Sequence, residues 1–141
     1  MVILEFRGKI MKTSSNDFGR IIKVAGFAVK GNVAPEICGK LVDEIVEKMG
    51  MQTIPGRIMY SYPFYDGSGG KGFTLIQPIT ESFIAIDQWE DFSGAYVFVV
   101  SCVMFDIETL LCIIKSYGLA VLSKKEFELS LENGRQHTNK T

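Results

Sequence analysis

A group of reactive side chains lies within a short stretch of this 141-residue chain. They are hydroxyl, carboxyl and thiol groups, carried by Thr74, Ser82, Glu81, Asp87 and Cys102. Hydroxyl and thiol groups act as nucleophiles, and carboxyl and thiol groups give and take protons. Because Ser82 follows Glu81 directly, its hydroxyl lies next to a peptide carbonyl that it could attack. These residue types could carry nucleophilic chemistry assisted by proton transfer.

Two segments have the pattern of helices that would support such a site. Pro35–Met49 repeats apolar residues at four-residue spacing, with charged residues on the opposite side and proline in the first turn. Asp106–Ser116 begins with a residue type that caps helix N-termini and continues with an apolar side. We therefore expect two amphipathic helices that pack against a common core.

Most of the remaining chain has the pattern of short strands. Runs rich in β-branched and aromatic residues predict strands at Arg20–Lys30, Arg57–Pro63, Phe73–Pro78, Ser82–Gln88, Tyr96–Cys102 and Leu119–Leu129. Turns are expected at Pro78–Thr80 and Asp91–Gly94, and a flexible loop at Tyr65–Gly72. Strands clustered between two helices predict an α+β fold: a two-layer α/β sandwich with a mostly antiparallel sheet and two helices on one face.

Composition argues against several classes of partner. Lys plus Arg number 15 and Asp plus Glu 16, so there is no basic field to attract nucleic acid or an anionic membrane. Apolar runs are too short to span a bilayer, and we expect a cytoplasmic protein. Three cysteines without a CxxC pair and one histidine predict neither a disulfide framework nor a metal site. Residues 1–19 are expected to form an N-terminal extension, 20–131 the folded domain and 132–141 a polar tail.

The segment that carries the reactive side chains resembles the self-cleavage and catalytic segment of the prokaryotic S-adenosylmethionine decarboxylase family. Glu81-Ser82 matches the pair of residues between which that family cleaves its own chain. Thr74 lies eight residues before Ser82, where the family has a serine that helps processing. Cys102 lies 20 residues after Ser82 and matches the cysteine that returns a proton to the substrate carbon. The match runs without a gap from about Gly72 to Cys102.

The resemblance implies a cofactor made from the chain itself. The Ser82 hydroxyl would attack the Glu81 carbonyl carbon to form an ester, and elimination would leave a pyruvoyl group at the new N-terminus. That carbonyl would form a Schiff base with the substrate amine and delocalise the carbanion left by loss of carbon dioxide. The step requires a strained turn at the serine, a group that stabilises the oxyanion, and an acid or base nearby.

The resemblance also implies substrate contacts and a partner. Asp91 stands where the family has a glutamate that hydrogen-bonds the ribose hydroxyls, and Trp89 matches an aromatic residue of the same run. The family holds the adenine ring between aromatic faces, for which the candidates are Tyr62, Phe64 and Tyr65. The implied substrate is S-adenosylmethionine, and the implied assembly is a homodimer.

The chain departs from the family at the two positions where histidines are usual. Phe83 and Asp87 stand there instead. Asp87 is a carboxyl group that could exchange protons, and its negative charge suits a cationic substrate. Two alternatives therefore stay open: a pyruvoyl-dependent decarboxylase of arginine or ornithine, and a homologue that no longer cleaves and acts as a ligand-binding or regulatory partner.

Each candidate residue also has a purely structural interpretation. Ser82 and Asp91 suit turns, and Cys102 suits a strand that enters a core. Asp87 either faces solvent on a half-exposed strand or belongs to a site, because burying an unpaired carboxylate is costly. Trp89 could serve packing as well as binding.

Overall fold

The computed structural model describes residues 2–6, 9–13, 20–63 and 71–132 of the chain. The strands are β1 (Val2–Phe6), β2 (Lys9–Thr13), β3 (Ile21–Lys30), β4 (Ile58–Pro63), β5 (Lys71–Ile79), β6 (Ser82–Trp89), β7 (Gly94–Ser101) and β8 (Ala120–Ser130), and the helices are α1 (Pro35–Lys48) and α2 (Ile107–Ser116).

One six-stranded sheet organises the domain. Its strands lie in the order β4-β5-β6-β7-β3-β8, and each neighbouring pair is antiparallel. The two strands nearest the chain terminus, β1 and β2, pair with each other in a separate sheet. The predicted α+β fold, with its antiparallel sheet and two helices, is confirmed.

Side-chain alternation gives the large sheet a buried face and an open face. Leu75, Ile84 and Val97 point to the helix side and are fully or almost fully buried. They belong to the same core cluster as Leu41 of α1 and Ile114 of α2. Because successive residues of a strand point to opposite faces, the intervening residues lie on the other side of the sheet.

The open face carries large apolar side chains that remain in contact with solvent. Tyr60 is 65% exposed, Phe127 52% and Tyr96 47%. Phe83 and Phe98 add further exposed aromatic surface between them. Several exposed aromatic side chains on one sheet face are typical of surfaces that bind another molecule.

Both ends of β5 differ from the predicted ones because strand pairing overrides local preference. β5 begins at Lys71, inside the segment predicted as a loop, because Gly72 pairs with Trp89 of β6. β5 also continues through Pro78 to Ile79, so the turn lies at Thr80-Glu81 instead of Pro78–Thr80. Pro78 is tolerated because β4 already ends its pairing at Ile76.

The hairpin of β1 and β2 lies in the segment predicted to be an N-terminal extension, for which no strand was predicted. Its register pairs Val2 with Thr13 and Phe6 with Lys9. Lysines and a glutamate interrupt the apolar residues of both strands, so periodicity gave no clear strand pattern there.

Gly72 is required where β5 meets the end of β6. A Cβ atom at this position would overlap the Gln88 carbonyl oxygen of the neighbouring strand. We predict that Gly72→Ala lowers the free energy of unfolding by about 2–3 kcal/mol, because the strands must move apart to admit the methyl group. Urea denaturation measures this difference.

Gly39→Ala is the matched control, because a Cβ atom there lies 3.5 Å from Arg57 Nη1, an ordinary contact, and the residue is inside α1. We expect that control to be neutral or slightly stabilising. A Gly72→Ala protein as stable as the control would contradict the close approach of the two strands.

Candidate active site

The Glu81-Ser82 peptide bond lies at the tight turn between β5 and β6. Ile79 pairs with Ser82 across this hairpin, so only Thr80 and Glu81 connect the two strands. Among the described residues, Ser93 is the one non-glycine residue with a positive φ. Glu81 and Ser82 therefore have no positive φ, and the strained turn expected at the serine does not take that form.

The Glu81 carbonyl accepts a hydrogen bond from the backbone of Cys102, the residue predicted to return a proton to the substrate. The Cys102 N–H donates to the Glu81 carbonyl oxygen at 3.0 Å. The pair follows from the register, since Ser82 lies opposite Ser101 of β7. A backbone N–H held against a carbonyl oxygen is the arrangement that stabilises an oxyanion when a nucleophile attacks that carbonyl.

The Glu81 side chain is buried and hydrogen-bonded. The residue is 4% exposed, and its carboxyl group accepts from the Gln52 N–H at 3.3 Å and from the Thr80 hydroxyl at 2.9 Å. The turn and the segment around Gln52 are also joined through their backbones, since the Thr80 N–H donates to the Gln52 carbonyl at 2.9 Å. Glu81 is thus fixed on both its backbone and its side chain.

The segment between α1 and β4 is held against the hairpin by a buried glutamine. Gln77 accepts from Arg57 Nε at 2.7 Å and donates to the Ile54 carbonyl at 3.1 Å. Arg57 also pairs with Asp43 of α1. These bonds fix Gln52, which in turn fixes the Glu81 carboxyl group.

Ser101 is a site residue that the sequence analysis missed. It is fully buried, and its hydroxyl donates to the Val103 carbonyl at 2.8 Å and accepts from the Val103 N–H at 3.0 Å. This local serine turn bends the chain directly at Cys102. A serine two residues before an apolar residue at the end of a strand is the signal that could have found it.

Cys102 was predicted to be the last residue of its strand. In the structure β7 ends at Ser101, and Cys102 is the next residue. Its side chain is half-buried and packs against the hydrophobic core. Cys38, by contrast, is fully inside the core, where burial above all and then the nearby Glu36 charge raise the pKa of its thiol to about 12. Cys38 is therefore an inert core residue on the buried side of α1.

Asp87 and Thr74 form a second polar cluster, on the open face of the sheet. They pair across β5 and β6, with the Thr74 hydroxyl 3.4 Å from Asp87 Oδ1. The Trp89 Nε1–H donates to Asp87 Oδ2 at 3.1 Å. Because Asp87 lies five residues beyond Ser82 on one strand, about 16 Å separates them. The structure does not bring Asp87 or Thr74 to the Ser82 hydroxyl of the same chain.

An aromatic cavity adjoins this second cluster. Trp89, Phe92 and Tyr96 line a cavity of about 360 Å³. The Trp89 and Phe92 ring centres are 6.4 Å apart, with the rings tilted by 53°. The sequence analysis named Trp89 but missed Phe92 and Tyr96, although the pairing of Asp87 with Tyr96 follows from a hairpin between the two predicted strands.

The remaining predicted substrate contacts are only partly described. Asp91 is exposed in the short 3-10 turn Glu90–Phe92, next to Trp89. Phe64, Tyr65 and the side chain of Tyr62 lie outside the described residues. Those three therefore stay predictions.

The described parts of the chain contain no group of three or more His, Cys, Asp or Glu side chains that could hold a metal ion. None of their helices is long and apolar enough to cross a membrane.

Comparisons with known proteins were made by family, by sequence and by structure, and a likeness was found among solved structures. No protein-family model matches the chain, and no curated protein matches it. Among solved structures, the chain is similar to the adenosylmethionine decarboxylase from Aquifex aeolicus VF5, with a TM-score of 0.49 and 16% sequence identity. The likeness covers 79% of this chain and 92% of that chain. At this level it describes an arrangement of strands and helices and identifies no function.

The Glu81 carboxyl group should stabilise the loop that it anchors. In a Ser82→Ala background, which excludes cleavage, we predict that Glu81→Ala lowers the free energy of unfolding by about 1–3 kcal/mol, because Gln52 N–H loses its buried acceptor. Glu81→Gln keeps an acceptor oxygen and should lose less. Equal stability of all three proteins in urea denaturation would show that the carboxyl group does not hold the loop.

Proposed function

We propose that this chain is a pyruvoyl-dependent decarboxylase that cleaves itself between Glu81 and Ser82 and acts on S-adenosylmethionine, supplying the aminopropyl donor for spermidine synthesis. The observation that carries the proposal is the hydrogen bond from Cys102 N–H to the Glu81 carbonyl. It joins the two sequence features on which the resemblance depends most, the Glu-Ser pair and the cysteine 20 residues later.

Cleavage would begin with the Ser82 hydroxyl, which is half-buried at the first position of β6. Its oxygen attacks the Glu81 carbonyl carbon, the carbon–nitrogen bond breaks, and the serine nitrogen takes up a proton. Negative charge on the Glu81 oxygen during this step is stabilised by Cys102 N–H. Elimination then releases the Glu81 carboxylate, and hydrolysis of the resulting enamine releases ammonia.

The pyruvoyl group left at residue 82 would supply a carbonyl that reacts with an amine and accepts electrons when carbon dioxide leaves. Cys102 would return a proton to the substrate carbon. The hydrogen bond that holds its backbone next to the Glu81 carbonyl supports that role. Glu81 would become the C-terminus of the first fragment, still held by Gln52 and Thr80. These bonds lie within fragment 1–81 and would hold its new C-terminus in place, whereas the pairing of β5 with β6 would keep the two fragments together.

A homodimer would explain why the polar cluster of Asp87 and Thr74 lies far from Ser82. If these side chains assist cleavage, as the resemblance implies, they must act on the Ser82 of a second copy. The open sheet face, with its exposed Tyr60, Tyr96 and Phe127, offers an apolar surface for that copy. A copy that covers this face and reaches the hairpin end of β6, where the Ser82 side chain lies on the helix side, would also remove these rings from water.

One alternative has specific support: a homologue that binds a ligand but does not cleave. Phe83 and Asp87 replace the usual histidines, and Asp87 already accepts a hydrogen bond from Trp89. Neither Glu81 nor Ser82 has a left-handed φ. A pyruvoyl decarboxylase of arginine or ornithine is the other variant, in which Asp87 or Asp91 would meet the positive side chain of the substrate.

The intact mass of the purified protein tests cleavage. We predict two fragments, 1–81 and 82–141, with the second carrying a pyruvoyl group in place of serine. Ser82→Ala should give one full-length species, and borohydride with S-adenosylmethionine should attach substrate only to the wild-type 82–141 fragment.

A wild-type protein of full length that resists this trapping would contradict the enzyme and favour the binding homologue. Cleavage that persists in Ser82→Ala would mean that Ser82 is not the nucleophile. Trapping by arginine or ornithine but not by S-adenosylmethionine would change the substrate and keep the chemistry.

Mixing two variants tests whether the site is shared between copies. We predict that Ser82→Ala and Asp87→Ala each remain uncleaved alone, and that co-expression produces cleavage of the Asp87→Ala chain only. The Ser82→Ala chain would then supply the Asp87 that its partner lacks. Mass spectrometry distinguishes the two chains.

The control replaces the Ser82→Ala chain by the double variant Ser82→Ala/Asp87→Ala, which offers no Asp87 and should give no cleavage. Efficient cleavage of Asp87→Ala by itself would contradict a role of Asp87 in processing. A single-chain mass in solution for the Ser82→Ala protein would contradict the dimer.

A further inference from the structure

We infer that Lys23 of β3 is a positioning residue for the proposed cleavage, because it holds the segment whose Cys102 N–H contacts the Glu81 carbonyl. The inference rests on the proposed function for the chemistry that this N–H would assist. The hold itself belongs to the uncleaved chain, so it can be tested separately from cleavage.

Lys23 lies on the helix side of the sheet, in one row with residues of the candidate site. It pairs with Ser101 of β7, which in turn pairs with Ser82 of β6. Ala25 and Phe27 follow at alternate positions of β3 and are buried in the core, so the Lys23 side chain lies on the same side as theirs. Two strand spacings, about 10 Å, separate the Cα atoms of Lys23 and Ser82.

The Lys23 ammonium group is largely removed from water and has specific partners. Its Nζ donates to the Phe105 carbonyl oxygen at 2.9 Å and lies 4.9 Å from the centre of the Phe105 ring. Glu126 Oε1 of β8 is 3.6 Å away, but the Glu126 side chain is 42% exposed, so this ion pair is screened by solvent. The Lys23 side chain is only 13% exposed. Phe105 is therefore the main partner of this charge, through both its carbonyl and its ring.

The segment Cys102–Phe105, which connects β7 to α2, is held at both ends. At its start, the Ser101 hydroxyl binds both the N–H and the carbonyl of Val103. At its end, Lys23 binds the carbonyl of Phe105. The path of the segment is thus fixed by two side chains that lie opposite each other on neighbouring strands.

Cys102 lies inside the first of these two anchors. Its N–H reaches the Glu81 carbonyl oxygen at 3.0 Å, and the direction of that N–H depends on the path of the whole segment. If Lys23 releases Phe105, the segment keeps only the Ser101 turn, and the Cys102 N–H should leave the carbonyl for part of the time. Less oxyanion stabilisation would follow during cleavage.

Stability alone does not require a lysine at position 23. An apolar side chain of similar length would fill the same space without removing a charge from water, and exchanges of this kind are often neutral. Loss of the ammonium group should therefore change the free energy of unfolding little and change the Cys102 N–H much more. This difference separates a positioning residue from a structural one.

Hydrogen exchange in uncleaved Ser82→Ala protein tests the hold directly. We expect Lys23→Met to raise the exchange rate of the Cys102 amide about tenfold relative to the amide of Val99, a fully buried residue of β7. Because Val99 reports opening of the sheet, this ratio removes any effect of global stability. Lys23→Arg keeps a donor and a charge and should return the ratio to within about threefold of the parent protein.

Lys30→Met is the matched control, since Lys30 is the last residue of the same strand and is exposed. It should leave the ratio of the two exchange rates unchanged. An unchanged ratio in Lys23→Met would overturn the inference. Lys23→Gln, whose side chain is one bond shorter and should not reach the Phe105 carbonyl, gives the same test if Lys23→Met does not fold.

In chains that keep Ser82, mass spectrometry follows the appearance of fragment 1–81 after synthesis. We expect Lys23→Met to slow this appearance about tenfold and Lys23→Arg to restore it, while Lys30→Met cleaves like the wild type. Cleavage of Lys23→Met at the wild-type rate would also overturn the inference. If the wild-type chain itself does not cleave, the proposed function fails, and the exchange ratio alone decides whether Lys23 holds the Cys102 N–H in place.

Discussion

The register of β6 between β5 and β7 is the constraint on which the rest of the structure depends. It sets Ser82 opposite Ile79 and Ser101, and it sets Asp87 opposite Thr74 and Tyr96. A shift by one residue would move every side chain of β6 to the other face and would expose Ile84 and Ile86, which are now fully buried. The buried face thus holds the register, and the register decides which polar groups can meet.

One consequence is that the carboxyl groups of Glu81 and Asp87 have different surroundings. Glu81 is buried beneath the segment after α1 and is held by Gln52 and Thr80. Asp87 lies on the open face and is held by Trp89. Since β6 keeps them at opposite ends of its length, they cannot act as one acid–base pair within a chain. A shared site, if it forms, must bring Asp87 on the open face of one chain to Ser82 of the other, whose side chain lies on the helix side at the hairpin end of β6.

The spacing of apolar residues was sufficient to predict the helices and strands because it depends only on residues that are close in sequence. The apolar stripe of α1 and the alternation in β6 both depend on neighbours within one turn or one strand. The strand limits at Lys71 and Ile79 were wrong because they depend on pairing with β6, which no local pattern contains. The hydrogen bond between Cys102 and Glu81 required the same long-range register. The hydroxyl turn of Ser101 and the cavity beside Trp89 were missed for that reason too.

The proposed cleavage depends most directly on one contact, the hydrogen bond from Cys102 N–H to the Glu81 carbonyl. Nuclear magnetic resonance can detect it as a scalar coupling across the hydrogen bond, between the Cys102 amide nitrogen and the Glu81 carbonyl carbon, in isotope-labelled Ser82→Ala protein. We expect that correlation, together with slow exchange of the Cys102 amide proton. A Cys102 amide that exchanges rapidly and couples to no carbonyl would contradict the arrangement.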